Sequence, residues 1–283
     1  MPERKDLVPQ DLVSSAANPV VKRIRALADR RHRKREGAFV VEGGQPVWRA
    51  VEAGWQIDTL VIAPELLARH PGEGGHPALR MAEEQERAGV RVVRLSRELF
   101  ERVADREGPA GVLAIVRARP RGLADLRIGP GSVFTVLHRI GNPGNLGTIV
   151  RTVDATGGAG VVLVGETADP LAPTAVKASM GSIFAVDVVQ APDLDSFFDW
   201  ARGNGVRVLA TSGSARDDHW QADYSAPCAV LLGNEGEGLP QAAIERADLQ
   251  VRIPMVGTAE SLNVAVAAAL VLYQARRPGL QEG

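Results

Sequence analysis

Three segments in the C-terminal half share one construction, and that construction constrains the fold more than any other feature. They are Asn142-Pro-Gly-Asn-Leu-Gly-Thr-Ile-Val-Arg151-Thr152, Leu231-Leu-Gly-Asn-Glu-Gly-Glu-Gly-Leu-Pro240 and Ile253-Pro-Met-Val-Gly-Thr-Ala-Glu-Ser-Leu-Asn-Val-Ala-Val266. Each runs from a strand-like apolar stretch through a Gly- or Asn-rich loop into a helix-like stretch. Chains built this way fold as α/β layers, and open sheets of that kind hold ligands at their strand-to-helix loops. Three loops carrying more polar residues than their turns require imply one composite site.

The rest of the chain extends the alternation. Asn18-Pro19 starts a helix with Val20, Ile24, Leu27 and Ala28 at helical spacing. Strands are expected at Ala38–Glu42, Thr59–Ala63, Val90–Arg94 and Gly111–Val116, with helices near Gln45–Ala53 and Ala78–Ala88. Residues 1–13 read as a flexible N-terminus, 14–117 as a compact α/β domain and 118–131, which breaks every periodicity, as a linker. The polar stretch Pro71–Gly75 reads as a loop inside the first domain. From 132 to 283, Ser132–Leu137, Gly160–Val164, Val206–Ala210 and Ala229–Leu232 have the continuous apolar character of strands covered on both faces. Helical stretches at Leu146–Thr156, Ala172–Met180 and Asp193–Asn204 lie between them, so a parallel sheet flanked by helices is expected.

Taken singly, each loop has an ordinary structural explanation beside a functional one. Gly141, Gly144 and Gly147 have spacing loosely like a dinucleotide fingerprint, but Pro143 interrupts it and no acidic residue follows at the place a ribose would need. Asn145 is either a helix cap or a polar group at an anion-attracting helix N-terminus; Arg151 is a surface residue or a bidentate phosphate ligand. Gly233 lets backbone amides approach a ligand closely, or only makes a tight turn, and Glu235 can accept a hydrogen bond from a ligand. Ser261 is a plausible N-cap for a helix that looks buried, and Asn263, inside its first turn, needs a polar partner. The five histidines show no metal-ligand spacing, and the single cysteine, Cys228, precludes an internal disulfide and reads as core.

A net charge of −1 conceals a basic segment: Lys22, Arg23, Arg25, Arg30, Arg31, Arg33, Lys34 and Arg35, offset there mainly by Asp29. Such a cluster is a solvated helix face or a phosphate-binding one. The longest apolar run, Val264–Tyr273, is too short and Ala-rich to span a bilayer, and the first residues lack the apolar core of a signal peptide. A cytoplasmic location without membrane contact is expected.

Together the motifs N-x2-N-x-G-x3-R-T, L-L-G-N-E-G-x-G-L and I-P-M-x5-S-L-N-V-A-V-A resemble, in order and spacing, the three motifs of the SpoU/TrmH family of S-adenosylmethionine-dependent RNA ribose 2′-O-methyltransferases. Ser14, Asn18-Pro-Val-Val-Lys22 and Gly37-Ala-Phe-Val-Val-Glu-Gly43 resemble the L30-like RNA-binding domain that precedes many members. The resemblance covers nearly the whole chain. It implies a trefoil-knotted C-terminal domain of parallel sheet and helices, a smaller L30-like N-terminal domain, and homodimerisation through the C-terminal domain.

By the same resemblance, S-adenosylmethionine is the cofactor, held by Thr211, Gly233, Ile253, Met255 and Leu262 largely through backbone groups. Arg151, Asn145, Glu235, Ser261 and Asn263 are the implied catalytic residues, with Arg151 as base in the family's proposal. A guanidinium is effectively never deprotonated, so a clamp on the adjacent phosphate that also stabilises a developing alkoxide is the better role. Lys22, Arg23, Arg30, Arg31, Arg33, Lys34 and Arg35 become candidate RNA contacts, and large-subunit ribosomal RNA, in a housekeeping or self-resistance role, is the implied partner. A tRNA target, a non-catalytic RNA-binding protein and a nucleotide-dependent oxidoreductase are the alternatives. The approach Leu137-His-Arg-Ile-Gly141 departs from the family, whose members often carry an acidic residue there; His138 and Arg139 either touch RNA or fill the local pocket.

Overall fold

A computed structural model describes residues 12–68, 76–104, 108–224 and 227–281, the side chains of 278–281 excepted. The stretch Pro71–Gly75 and most of the expected flexible N-terminus lie outside the described residues. Two compact units divide the chain, the first ending at Arg119 and also taking in Leu171–Pro173, the second comprising Pro120–Pro170 and Thr174 onward.

The first unit contains β1 (Leu12–Val13), α1 (Pro19–Ala26), α2 (Arg30–Glu36), β2 (Ala38–Glu42), α3 (Gly44–Glu52), β3 (Ile57–Ile62), α4 (Pro64–Leu67), α5 (Pro77–Arg87), β4 (Arg91–Leu95), α6 (Arg97–Val103) and β5 (Val112–Arg117). Its sheet has the order β1-β4-β3-β5-β2. Neighbours β1, β4 and β3 are parallel, whereas β5 runs antiparallel to both β3 and β2. The Asn18 side chain accepts from the Val20 amide with Pro19 in the first turn, so α1 begins where the sequence places it. Val20, Ile24 and Leu27 then pack against Val61, Phe100, Leu113 and Ile115. Residues 12–13 correct the expectation of a free N-terminus. They pair with Arg94 and Leu95, and Val13 packs on this core.

The second unit contains β6 (Val133–His138), α7 (Pro143–Ala155), β7 (Gly160–Val164), α8 (Pro173–Ala178), β8 (Val188–Ala191), α9 (Leu194–Gly203), β9 (Arg207–Thr211), β10 (Asp217–Asp218), β11 (Cys228–Leu232), α10 (Gln241–Arg246), β12 (Leu249–Arg252) and α11 (Val264–Gln281). The strand order is β10-β12-β9-β11-β6-β7-β8, and every pairing is parallel. Residues of β6, β7 and β11 are buried throughout, which explains their unbroken apolar runs. Phe134 of β6 meets Trp200 of α9 edge-on at 5.4 Å, and Phe197 fills the same core.

Two expectations change here. The segment 118–131 is no free linker: it forms a short 3-10 turn at Leu123–Asp125, Gly122 bridges Gln190, and Leu126 enters the core. Leu123 and Ile128 pack on the same core and Arg121 pairs with Asp187, so scattered contacts fix the segment without any periodicity to read. Helix α11 is not buried all round. Ala265, Ala268, Val271, Leu272 and Ala275 face inward, whereas Val266, Leu270 and Tyr273 are exposed. Cys228 is buried in β11 as expected, and burial pushes its thiol up to about 11. Among the described residues no helix is long and apolar enough to cross a membrane.

Candidate active site

Four adjacent parallel strands, β12, β9, β11 and β6, end together. Val251 aligns with Thr211, Ala210 with Leu231, and Leu232 with Leu137. The loops that follow them, 139–142, 212–216, 233–240 and 253–263, therefore leave one sheet edge. This is the carboxyl edge, where parallel α/β sheets hold ligands. All three segments singled out in the sequence lie on it.

Side chains join them. Asn263 Nδ2 donates to Asn145 Oδ1 at 3.1 Å, and Asn145 Nδ2 donates to Glu235 Oε1 at 2.8 Å. The Gly141 amide reaches Glu235 Oε2 at 3.5 Å. Burial pushes the Glu235 carboxyl up, but hydrogen bonds from Asn145 and from the Gly141 and Asn142 amides outweigh it. Glu235 is thereby held below the usual glutamate range, ionised at neutral pH. The chain of three side chains runs across 118 residues of sequence and ends on a fixed negative charge.

Local structure holds each member. The cap of α7 is Asn142, not Asn145: its Oδ1 accepts from the amides of Gly144 and Asn145, with Pro143 at the first helical position. That division of labour frees the Asn145 side chain for Glu235. The N-cap of α11 is likewise Asn263 and not Ser261, since Asn263 Oδ1 accepts from the Ala265 amide at 2.9 Å. Asn263 precedes the first turn and is exposed, so no burial forces its pairing. In the middle loop, Asn234 Oδ1 accepts from Gly236 and Glu237, and its carbonyl accepts from the Gly238 amide. The loop closes so tightly that a Cβ on Gly233 would lie 2.1 Å from the Gly238 carbonyl carbon. Only glycine fits there. Gly147 has a different reason to be glycine: inside α7, its Cβ would lie 2.3 Å from the Ala175 carbonyl oxygen of α8.

Asn142 and Asn234 are thus organising residues that the sequence reading leaves unassigned. The Asn-Pro signature of a helix start was available for the first. A turn-forming Asn between strand and glycine signals the second only weakly.

The segment expected to hold the cofactor is an irregular stretch between β12 and α11. Among the described residues, 253–262 make no backbone–backbone hydrogen bond. Ile253 is half-buried and Met255 and Leu262 are exposed. Thr211 Oγ1 donates to the Leu231 carbonyl, tying the end of β9 to β11 one strand from that segment.

Other predicted residues are not joined to the network. Arg151 is exposed on α7, and no hydrogen bond or ion pair links it to a described residue. Ser261 is exposed with no hydrogen bond to a described residue. In the first unit, Lys22, Arg30, Arg31, Lys34 and Arg35 are exposed, in keeping with either reading of a basic face. Two members of that cluster are corrected. Arg33 is buried, its guanidinium donating to the carbonyls of Leu27 and Ala28 at 2.9 and 2.7 Å. Arg23 is paired with Glu36 and Asp58, both at 2.8 Å. Both guanidiniums are consumed within the fold.

Comparison with known proteins identifies relatives over nearly the whole chain. Residues 132–273 match the SpoU rRNA Methylase family, and residues 18–114 match the MRM3-like substrate binding domain. The 23S rRNA (uridine(2479)-2'-O)-methyltransferase of Streptomyces viridochromogenes is 31% identical over 257 residues, 89% of this chain and 86% of that one. The 23S rRNA (guanosine(2553)-2'-O)-methyltransferase RlmP of Bacillus subtilis is 31% identical over 264 residues, 93% and 98% of the two chains. A crystal structure of an AdoMet-bound rRNA methyltransferase from Sinorhizobium meliloti superposes with a TM-score of 0.85 at 37% identity, covering 94% of this chain and 97% of that one.

Proposed function

Because the chain belongs to the SpoU rRNA methylase family, we propose that the linked loops of the second unit place a ribose 2′-hydroxyl of 23S ribosomal RNA for methylation. The protein is an S-adenosylmethionine-dependent RNA ribose 2′-O-methyltransferase. The observation that carries the reading is the Asn263–Asn145–Glu235 chain, which locks the three motif loops to one another at the carboxyl edge of the sheet.

When bound, S-adenosylmethionine supplies a methyl group on an electrophilic sulfonium. Thr211, Gly233, Ile253, Met255 and Leu262 would hold it, chiefly through the backbone of 253–262 and the tight turn at Gly233. The protein's task is then alignment and charge. Glu235, kept ionised by its donors, anchors Asn145, and Asn145 in turn receives the Asn263 amide, so neither asparagine is free to swing. Arg151 retains its proton, clamps the phosphate next to the target ribose and stabilises negative charge growing on the 2′-oxygen, whose proton passes to solvent water as the oxygen takes up the methyl group. Ser261, exposed within the same loop, contacts substrate or cofactor.

The choice of 23S rRNA is supported by the match of residues 18–114 to a substrate binding domain and by the two relatives named for that RNA. The resemblance further supports a trefoil knot through the two C-terminal motif loops. It also supports a cytoplasmic homodimer, for which the exposed apolar Val266, Leu270 and Tyr273 of α11 offer a surface. The deciding experiment supplies labelled S-adenosylmethionine to the purified protein with ribosomal RNA and, separately, tRNA, and then maps ribose methylation. Label confined to 23S rRNA is expected; label in tRNA alone overturns the substrate assignment.

A further inference from the structure

The approach to α7 carries one backbone feature that the catalytic reading does not use. Arg139, directly after β6, adopts φ of +54°. Among the described residues only Met180 shares a left-handed φ without being glycine. A side chain with a Cβ is strained in that region, which glycine enters freely and asparagine with little cost. The conformation is fixed from several sides. The Arg139 amide donates to the Val164 carbonyl at 3.1 Å, and the Ile140 carbonyl accepts from the Ala168 amide at 2.7 Å. The site thus demands a left-handed residue, yet presents a long cation there.

That cation is unspent. Arg139 is exposed, and no hydrogen bond or ion pair joins it to a described residue. Elsewhere in the same unit arginines are paired: Arg121 with Asp187, Arg207 with Asp223, Arg246 with Asp195 and Arg252 with Asp218. Arg127, Arg216 and Arg277 are also without described partners, but none of them occupies strained backbone. Arg139 stands two residues before Gly141, whose amide contacts Glu235, and twelve before Arg151. It emerges at the β6–β7 side of the carboxyl edge, next to Gly165 of the following strand end, whereas Thr211, Gly233 and Ile253 lie across β11, β9 and β12. His138, beside it, is buried and disfavours its charged form because of that burial and the neighbouring guanidinium, so it does not add a second cation.

We infer that Arg139 is a second phosphate anchor for the RNA, gripping the backbone at the β6–β7 side of the target nucleotide while Arg151 grips it beside the reacting ribose. The inference rests on the methyltransferase reading for the identity of the polyanion. Its chemistry is the planar guanidinium fork on a phosphate. Strain at a solvent-facing loop head is tolerated because the side chain acts on a ligand rather than on the fold.

The test uses the full-length protein and a 23S rRNA transcript, with filter binding over a series of KCl concentrations and steady-state methylation. Arg139→Asn keeps a left-handed-tolerant residue and removes the charge; Arg139→Lys keeps the charge. The expected result for Arg139→Asn is about tenfold weaker RNA binding and a salt slope shallower by about one, as for loss of one phosphate contact. KM for RNA should rise with kcat within about twofold, while the melting temperature holds or rises and S-adenosylmethionine affinity is unchanged. Arg139→Lys should retain the salt slope. RNA affinity and slope equal to wild type in Arg139→Asn overturn the anchor, as does a loss confined to melting temperature or cofactor affinity. A wild-type protein that binds the transcript but transfers no methyl to any RNA would instead sink the functional reading, and the binding series would still decide on Arg139.

Discussion

The basic segment of the first unit and the strand-end loops of the second both carry arginines, and the fold binds some of these to internal acceptors and leaves others without a described partner. In the first unit, Arg33 is turned inward onto two carbonyls and Arg23 is held between Glu36 and Asp58, so part of the apparent cationic face is structural. In the second, Arg139 and Arg151 have no described partner although that unit pairs other arginines with aspartates. The number of positive charges in a segment is therefore a poor guide to where a polyanion binds. What matters is which guanidiniums have been left without internal acceptors, because an arginine already satisfied must break those bonds to serve a ligand.

The largest effect should come from the free side of this contrast. Arg151→Ala is expected to lower kcat by about 10²–10³-fold, the usual consequence of removing a preorganised charge aimed at the transition state. Calorimetric S-adenosylmethionine affinity should stay intact. Arg151→Lys should recover little of the loss, because a point charge does not replace the fork; substantial turnover by that variant would refute the clamp.

Next is the consumed side. Arg33→Ala should destabilise the protein by about 2–3 kcal/mol, since two carbonyls lose a charged donor. It should leave the salt dependence of RNA binding unchanged, whereas Lys34→Ala should do the reverse. A melting temperature unmoved in Arg33→Ala would erase the distinction between the two regions.

Cutting the link between loops is a smaller intervention. Glu235→Gln keeps the shape but loses the ionised acceptor, and kcat/KM should fall about tenfold, in line with about 1.5 kcal/mol for a charge-assisted hydrogen bond. Asn145→Ala should not add to that loss in the double variant, because both residues act through the same contact. Full additivity in the four-way kinetic comparison would show that the chain of side chains does not operate as a unit.

The smallest effect sharpens the role of the first unit's ion pairs. Burial pushes the Asp58 carboxyl up, but hydrogen bonds and charge from Arg23 and Arg117 bring it below the ordinary aspartate range. Its unfolded value is about 3.9. The stabilisation is therefore complete above that pH and is lost as pH falls through the depressed folded value. Melting curves from pH 6 to pH 3 should decline more steeply for the wild type than for Asp58→Asn; parallel curves would contradict the pairing.

Much of this was legible in the chain itself, for identifiable reasons. Strands β6, β7 and β11 are covered on both faces and so write themselves as apolar runs. Helix α1 announces its start with Asn18-Pro19. Strand β12 was hidden because its only buried residue is Val251, and β1 because two residues carry no periodicity. At the site, the sequence pointed to Asn145, Glu235 and Asn263 but misjudged their local duties. It gave the cap of α11 to Ser261, while the structure gives it to Asn263 and the cap of α7 to Asn142. Any of several polar residues near a helix start can cap it, and only the backbone path chooses among them.

By itself, then, the order of residues determined a parallel α/β sheet, the loops that leave its strands and the polar groups those loops carry. These follow from local propensity and from the apolar runs that burial on two faces requires. Only the tertiary structure decided that Asn263 would meet Asn145 across 118 positions, that Arg33 would face inward, and that Arg139 would sit strained and without a partner among the described residues. Those outcomes depend on which distant backbone carbonyls, carboxylates and strand ends come within about 3 Å of a side chain, and hydrogen bonding at that range is set by packing rather than by sequence neighbourhood.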